Sequence, residues 1–327
     1  MALPNYLTHA AHKSRTLFNR ALFTQYKKQI LHTPPLHCAR TSDTLILSMI
    51  GSSSFLEYLI AIKSFLRFTS SFSVEVISDG TLDREHVDLL QTHIPNIRFS
   101  SPDAVKLGPC PRGGTWERLL RVVELTGSHY VIQMDSDIIV AQQPGEVFSF
   151  LRDQKPFAIG NRKWPAPVSL HHMAETSRSW HQKRGWKTSH IQPYCESLLD
   201  HLPDRLPCAP KGYLRACSGF CGYPEGSLSF YHTYSLSEAM RELVGWDRWR
   251  QWGSEQVMSN LLLGGMDAAS ALPWPEYQNF MEPRTDQTGK VIHFIGAHRH
   301  KTLDYLLTSR ALLKELNKQQ KAKTKRR

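Results

Sequence analysis

Two aspartates one residue apart close a run of apolar residues, and this pair constrains the chain more tightly than any other feature. Tyr130-Val131-Ile132-Gln133-Met134 reads as a buried strand that runs into Asp135-Ser136-Asp137, after which Ile138-Ile139-Val140 resumes the apolar run. A buried carboxylate without a partner is costly, and two side by side repel. The arrangement becomes stable when a hard divalent cation sits between the carboxylates and an anionic ligand such as a diphosphate. The plain alternative is a strand end with solvated carboxylates, since a chain of this length carries about one such spacing by chance. Context has to separate the two.

The surrounding pattern is that of an α/β protein. Thr44–Ile50 is a strand candidate. Ser54 with Glu57 three residues on reads as a capping box, and Phe55, Leu59, Ile62 and Leu66 recur at helical spacing to about Arg67. Val74–Ile77 is a second strand, ending at Ser78-Asp79-Gly80. A helix over Leu82–Thr92, a short strand over Ile97–Phe99 and a helix over Trp116–Leu125 stopped by Gly127 lead to the strand before Asp135. Strands alternating with helices imply a mainly parallel central sheet with helices on both faces. In such sheets ligands bind beyond the carboxyl ends of strands, which is where Asp79 and the Asp135/Asp137 pair fall.

Residues 160–215, rich in Trp, His, Pro and Arg, give no clear periodicity; such a segment could shape an acceptor pocket or form an irregular surface excursion. Further on, helices are expected over Ser237–Val244 and over Glu255–Leu263, the latter capped by Ser254 and stopped by Gly264-Gly265. A strand over Val291–Ile295, an amphipathic helix over Leu303–Leu316 and a disordered end from Lys318 complete the reading.

Charge is unevenly placed. The net charge is +11 over 327 residues, but residues 1–42 hold six Lys/Arg and no acid, and residues 314–327 hold seven against Glu315 alone. The body between them is close to neutral, which argues against a nucleic-acid enzyme with a basic face. The N-terminal piece intersperses Leu17, Phe18, Leu22, Phe23, Tyr26 and Ile30 among its basic residues, a pattern suited to a helix lying on an anionic membrane surface; solubilising tails are the plainer reading. The N-terminus lacks the apolar block of a secretory signal, so we expect a cytoplasmic protein with peripheral membrane contact through its basic ends. The six cysteines are expected to be reduced thiols. The expected organisation is a basic, partly helical extension over 1–42, a catalytic domain over 43–301, and a C-terminal helix and basic tail over 302–327.

A second motif lies downstream at His293-Phe294-Ile295-Gly296-Ala297-His298-Arg299. His293 could complete a metal site through a neutral imidazole nitrogen. Gly296 would let the backbone approach a phosphate, and Arg299 could pair with it through a charge-assisted contact. Asp135-x-Asp137 followed about 155 residues later by H-x-x-G-x-x-R resembles the GT-A glycosyltransferases. Within them it is closest to the family 8 group of retaining enzymes, which includes lipopolysaccharide galactosyltransferases and glycogenin. In that family the aspartates and the late histidine bind manganese, and the H-x-x-G-x-x-K segment holds the diphosphate. Arg299 stands where lysine is usual, keeping the charge and changing the geometry.

The resemblance covers roughly residues 43–301 and implies further roles. Ser218-Gly219 would lie near the donor sugar, and Glu255-Gln256 would match the family's D-Q pair as catalytic residues. Asp79 would read the nucleobase and Arg118 would contact the nucleotide. Asp135, Asp137 and His293 would hold Mn2+, or Mg2+. The implied activity is hexosyl transfer from a nucleotide-diphosphate donor, UDP-linked by preference, to a glycan or lipid-linked acceptor. Two other classes stay open: a sugar nucleotidyltransferase on a related sheet, and a non-enzymatic membrane-surface binder. The first usually carries a basic glycine-rich loop after its first strand, and Gly51-Ser52-Ser53-Ser54 has no cation before Lys63. The second leaves both motifs unexplained.

Overall fold

The structure is a computed structural model that describes residues 5–184, 190–281 and 289–324. Among these residues ten strands form two sheets. The larger contains β1 (Thr44–Ile50), β2 (Ser73–Ser78), β3 (Arg98–Ser100), β4 (Tyr130–Met134), β6 (Phe157–Ile159), β7 (Cys217–Tyr223) and β8 (Ser270–Ala271), in the order β3-β2-β1-β4-β7-β6-β8. β3, β2, β1 and β4 are mutually parallel, β7 runs antiparallel between β4 and β6, and β8 is parallel to β6. The smaller sheet places β10 (Val291–His293) between β5 (Ile138–Val140) and β9 (Tyr277–Asn279). Because β5 starts directly after Asp137 and pairs antiparallel with β10, His293 lies opposite Ile138 despite the long sequence separation.

Side-chain alternation decides how the helices are laid on the large sheet. In β1, Ile46 and Ile50 point into a core shared with the helix Phe55–Leu66, whereas Leu45 and Leu47 point into one shared with Val122 and Leu125 of the helix Trp116–Leu125. Both helices lie close to where the apolar spacing puts them. The capping box does not form: Ser54 Oγ donates to Gly51 O (3.3 Å), and Glu57 instead accepts from Lys27 Nζ (2.7 Å). A nearby cation outcompetes the local turn for that carboxylate.

Residues 160–215, unreadable by periodicity, contain the helices Leu170–Arg184 and Ile191–Glu196. Met173, Ile191, Cys195, Leu199 and Leu202 pack with Met258, Leu261 and Leu262 of the helix Ser254–Gly265 and with Trp116 and Trp249. The helix expected from Ser237 begins earlier, at Phe230, with Ser229 accepting from His232 N. The cap of the Ser254 helix is Gly253 (φ 98°), and Ser254 lies inside it, its Oγ accepting from Trp116 Nε1 (2.9 Å). The C-terminal end is not disordered from Lys318: the helix Asp304–Thr324 continues through it, as its helix-favouring Lys, Gln and Ala content allows, while residues 325–327 lie outside the described residues. The N-terminal helix Asn5–Tyr26 docks beside it, with Phe23 stacked on Tyr305 at 4.1 Å between centroids and Asn19 donating to His300 O. All six cysteines are free thiols, and no helix among the described residues is long and apolar enough to cross a membrane.

Gly264 lies within the last turn of the Ser254 helix, and its role there is packing rather than stopping the helix. A Cβ there would lie 2.5 Å from Gly212 O and 2.6 Å from Tyr213 Cα, so the helix could not sit against the strand-bearing segment that leads to β7. Intrinsic helix propensity favours Ala over Gly by about 1 kcal/mol. We expect the opposite sign here: Gly264→Ala lowers stability by about 1–3 kcal/mol in urea unfolding, as overpacking does. An unchanged or raised midpoint would show that the close approach is not a constraint.

Candidate active site

β4 ends at the centre of the large sheet, where all five of its residues are buried. Asp135 N donates to Gly219 O on the neighbouring β7 (2.8 Å), and Phe294 N donates to Asp137 O (2.9 Å). These backbone bonds tie both sheets to the aspartate turn. His293 Nε2 is consequently 3.0 Å from Asp137 Oδ1 and 3.6 Å from Asp135 Oδ2. One ligand atom from each of the three residues lies within 4.8 Å of the others. A side chain on residue 219 would close this space, because a Cβ would come 2.4 Å from His293 Cε1 and 2.8 Å from Asp135 Oδ2.

The donor set fits a divalent cation chemically. Two carboxylates and an imidazole suit manganese or magnesium, the nitrogen favouring manganese. The second ring nitrogen supports the same reading. His293 Nδ1 is 3.1 Å from Asn279 Oδ1 and 3.3 Å from Cys217 Sγ. Donation from Nδ1 to the Asn279 carbonyl leaves the Nε2 lone pair directed at the aspartates, which is the outer-shell device that orients metal-binding histidines.

Electrostatics hold the cluster together. Burial disfavours a charged His293, but Cys217 and Asp137 outweigh it and raise the pKa well above the ordinary histidine value. Burial pushes Asp137 up, while His293 and Arg299 outweigh that and hold its carboxyl below the usual range. Arg299 Nη2 is 3.6 Å from Asp137 Oδ2, and its Nε donates to Gly296 O (3.2 Å). A bound cation would compete with the His293 proton and release it.

Beneath the pair, Arg118 of the Trp116 helix is buried and donates from Nη1 to Asp135 Oδ1. Burial alone would lower the pKa of Arg118, but Asp135 and Glu255 outweigh it and raise it. Glu255, also buried, accepts from Ser218 Oγ (3.1 Å), Thr115 Oγ1 (3.1 Å) and Ser259 Oγ (3.0 Å). Its pKa is raised, by burial first, against the lowering effect of Arg118. Arg118 therefore pairs with Asp135 and exerts its charge on the buried Glu255 as well.

The structure thus gathers Asp135, Asp137, His293, Arg299, Gly219, Arg118, Ser218 and Glu255 into one cluster. Gly296 opens a short 3-10 turn beside it, and a Cβ there would meet no protein atom. Asp79 is exposed at the carboxyl end of β2, its Oδ1 accepting from Thr81 N and Oγ1, and it packs over Gly51 at the end of β1. Gln256 is turned elsewhere: its Nε2 donates to Gln192 Oε1 (2.6 Å). The sequence reading missed Asn279, Cys217 and Thr115. Cys217 adjoins the Ser218-Gly219 motif and could have been suspected; Asn279 has no local signal, because only the parallel register of β9 with β10 puts it opposite His293.

No family model matches the chain, and neither does any curated protein. Solved structures do. The bifunctional glycosyltransferase WbbM in its apo form superposes with a TM-score of 0.50 at 13% identity, over 83% of this chain and 50% of that one. The galactosyltransferase LgtC in complex with donor and acceptor sugar analogues gives 0.46 at 13% identity, over 84% and 95% of the two chains. Core-mannan synthase A from Aspergillus fumigatus, in a Mn/GDP form, gives 0.40 at 10% identity, over 74% and 75%. The chain spans half the length of WbbM. The fold is that of the GT-A glycosyltransferases, a mixed α/β architecture on a mostly parallel central sheet.

If Asn279 orients the ligand histidine, Asn279→Ala should weaken Mn2+ binding by about ten- to a hundredfold, read by calorimetry on the protein alone, with an unaltered circular dichroism spectrum. Unchanged Mn2+ affinity would remove Asn279 from the site.

Proposed function

We propose that this protein is a metal-dependent glycosyltransferase that moves a hexose from a UDP-linked donor to a glycan or lipid-linked acceptor. The observation that carries this reading is the meeting of Asp135, Asp137 and His293, with Arg299 beside them, at the carboxyl end of the central strand of a GT-A fold. That is the edge of an α/β sheet where ligands bind.

Asp135, Asp137 and His293 would hold Mn2+ or Mg2+, which when bound supplies Lewis-acid neutralisation of the diphosphate. Arg118 holds Asp135 in place through its guanidinium. Arg299, already against Asp137, would turn its guanidinium to the departing diphosphate as negative charge grows there. The open space over Gly296 suits a close phosphate approach. Asp79, exposed on the same edge, would take the nucleobase. Ser218 and Gly219 would line the donor sugar, and Glu255, buried and bonded to Ser218, Thr115 and Ser259, would reach the reacting sugar only by leaving Ser218. Gln256 would reach it only by leaving Gln192. Retention of anomeric configuration follows from the family resemblance. The nucleotidyltransferase reading is weaker, because the first cation after the β1 loop, Lys63, is buried and bonded to Thr33, Pro34 and His93.

Release of UDP from a panel of UDP-hexoses in Mn2+ tests the activity. Replacing both aspartates by asparagine should cut it by at least about a thousandfold, the scale of a lost electrostatic group. Turnover at the native rate in that variant would refute the metal-site mechanism. Separately, Arg299→Ala should weaken UDP binding by about ten- to a hundredfold, a charge-assisted contact being worth ~1.5–3 kcal/mol, and leave uridine binding nearly unchanged. Equal losses for the two ligands would show that Arg299 does not face the diphosphate.

Location at a membrane is the second part of the proposal. The N-terminal helix buries Phe23 but leaves Leu17, Phe18 and Leu22 exposed, by 56%, 63% and 38%, around a groove shared with Arg20. Lys28, Lys314 and Lys318 are also exposed. Exposed apolar side chains beside Arg20, on a chain whose ends are rich in cations, match an anionic lipid surface, each cation that reaches it contributing ~1 kcal/mol. Full-length protein should co-sediment with phosphatidylserine vesicles at low salt, and Leu17→Ser/Phe18→Ser should abolish this. Indifference to such vesicles would end the membrane reading.

A further inference from the structure

Beyond the paired ends of β6 and β7 lies a cleft of about 530 Å3 with an uncommon lining. Trp164, Trp180 and Trp274 form its aromatic walls, and Arg162, Lys163 and Arg215 supply its charge. Trp164 and Trp180 meet edge to face, with centroids 6.3 Å apart, and the Arg215 guanidinium stacks over Trp180 at 4.9 Å. The volume is that of a small-molecule site.

The sheet joins this cleft to the aspartates, and a separate chain of polar side chains fixes one wall of the cleft. Ile159 on β6 pairs with Cys217 on β7, so Asn161 and Arg215, both in the cleft wall, each stand two residues beyond that pair. Two residues span at most about 7 Å, and the Cys217 sulfur touches His293. The wall itself is fixed by a chain of polar side chains. Gln256 donates to Gln192, Gln192 donates to the fully buried Glu196 (2.8 Å), and Glu196 pairs with Arg215 at 3.1 Å. Arg215 is thereby held in the wall of the cleft by a buried carboxylate, and the helix that carries Glu255 braces it.

The chemistry of the lining is specific. Indole surfaces pack well against the C–H faces of a pyranose ring, because they offer large apolar area with few degrees of freedom. A neutral sugar has no use for the cations. Arg162 and Lys163 are exposed, and neither has a carboxylate partner among the described residues. With Arg215 set against Glu196, the lining carries two uncompensated positive charges, although the body of the chain is near neutral.

We propose that this cleft is the acceptor site and that the acceptor presents an anionic sugar, a pyranose bearing a phosphate or a carboxylate. This rests on the transferase reading for the word acceptor, but not for the binding itself. The tryptophans hold the ring, Arg162 and Lys163 take the anion, and the ring's next hydroxyl is directed along β7 toward the aspartates.

The test is calorimetric titration of the full chain, with UDP and Mn2+ present, using glucose, glucose 6-phosphate, glucuronic acid and inorganic phosphate. Intrinsic tryptophan fluorescence, read in the wild-type chain and in Trp180→Phe, reports whether the binding is at the cleft, since only a change lost in the variant comes from its wall. One or both acidic sugars should bind at least about tenfold more tightly than glucose and change the fluorescence, and which of them does so identifies the anion. Arg162→Gln/Lys163→Gln should bring the acidic sugars to the level of glucose, each lost charge-assisted contact being worth roughly tenfold, and leave UDP binding unchanged. Four results would overturn the proposal: glucose binding as well as the acids, no sugar binding at all, unchanged acid binding in the double variant, or phosphate alone binding as tightly as glucose 6-phosphate. Displacement of the acidic sugar by excess UDP would also overturn it, by assigning the cleft to the donor. Loss of UDP binding with acidic-sugar binding intact would instead refute the transferase reading and leave the cleft standing.

Discussion

Two carboxylates at the buried end of a central strand must be compensated, and much of the local architecture follows from that requirement. At 4 Å and an effective dielectric near 20, a unit charge pair is worth about 4 kcal/mol, comparable with the loss when one partner of a buried ion pair is removed. Asp135 is compensated from below by Arg118, and Asp137 from the side by His293 and Arg299. Each compensating residue arrives on a different element: Arg118 on a helix packed under the sheet, His293 on the middle strand of the second sheet, and Arg299 on the turn beyond it. The second sheet is short, three strands of three residues each, and its evident effect is to bring a histidine to the aspartates.

The arrangement also explains two glycines that could otherwise pass as loop punctuation. Gly219 sits where any side chain would displace His293 from Asp135. Gly264 lets the helix that carries Glu255 approach the segment leading into β7. Both are demands of close approach at the site rather than of backbone conformation, since neither has a positive φ. The site is therefore specified partly by what is missing from the chain around it.

Much of this was legible in the sequence, for identifiable reasons. β1 and the Trp116 helix carry strong local periodicity, and the structure reproduces Thr44–Ile50 and Trp116–Leu125 as expected. Asp135 and Asp137 stand out because they close an apolar strand, an expensive place for a charge, whereas His293 joins them only through the resemblance of the two motifs to a known family pattern. Local patterns failed where tertiary partners decide. Glu57 left its expected cap for Lys27, Ser254 turned to Trp116, and Phe55–Leu66 formed without the box. Residues 160–215 were opaque because their helices bury scattered aromatic and thiol side chains against a helix more than fifty residues later in the chain, with no repeating stripe of their own. Asn279 depends on strand register alone, which no window of sequence contains.

The account turns on whether Asp135, Asp137 and His293 make nucleotide binding depend on a metal. The most direct measurement is calorimetric titration of the wild-type protein with UDP in the presence of Mn2+ and again in excess chelator. Compensated carboxylates with no cation repel a diphosphate, so the predicted result is saturable UDP binding with Mn2+ and a loss of at least about a hundredfold in affinity without it, roughly 3 kcal/mol. Equal affinity for UDP in both conditions would contradict the account.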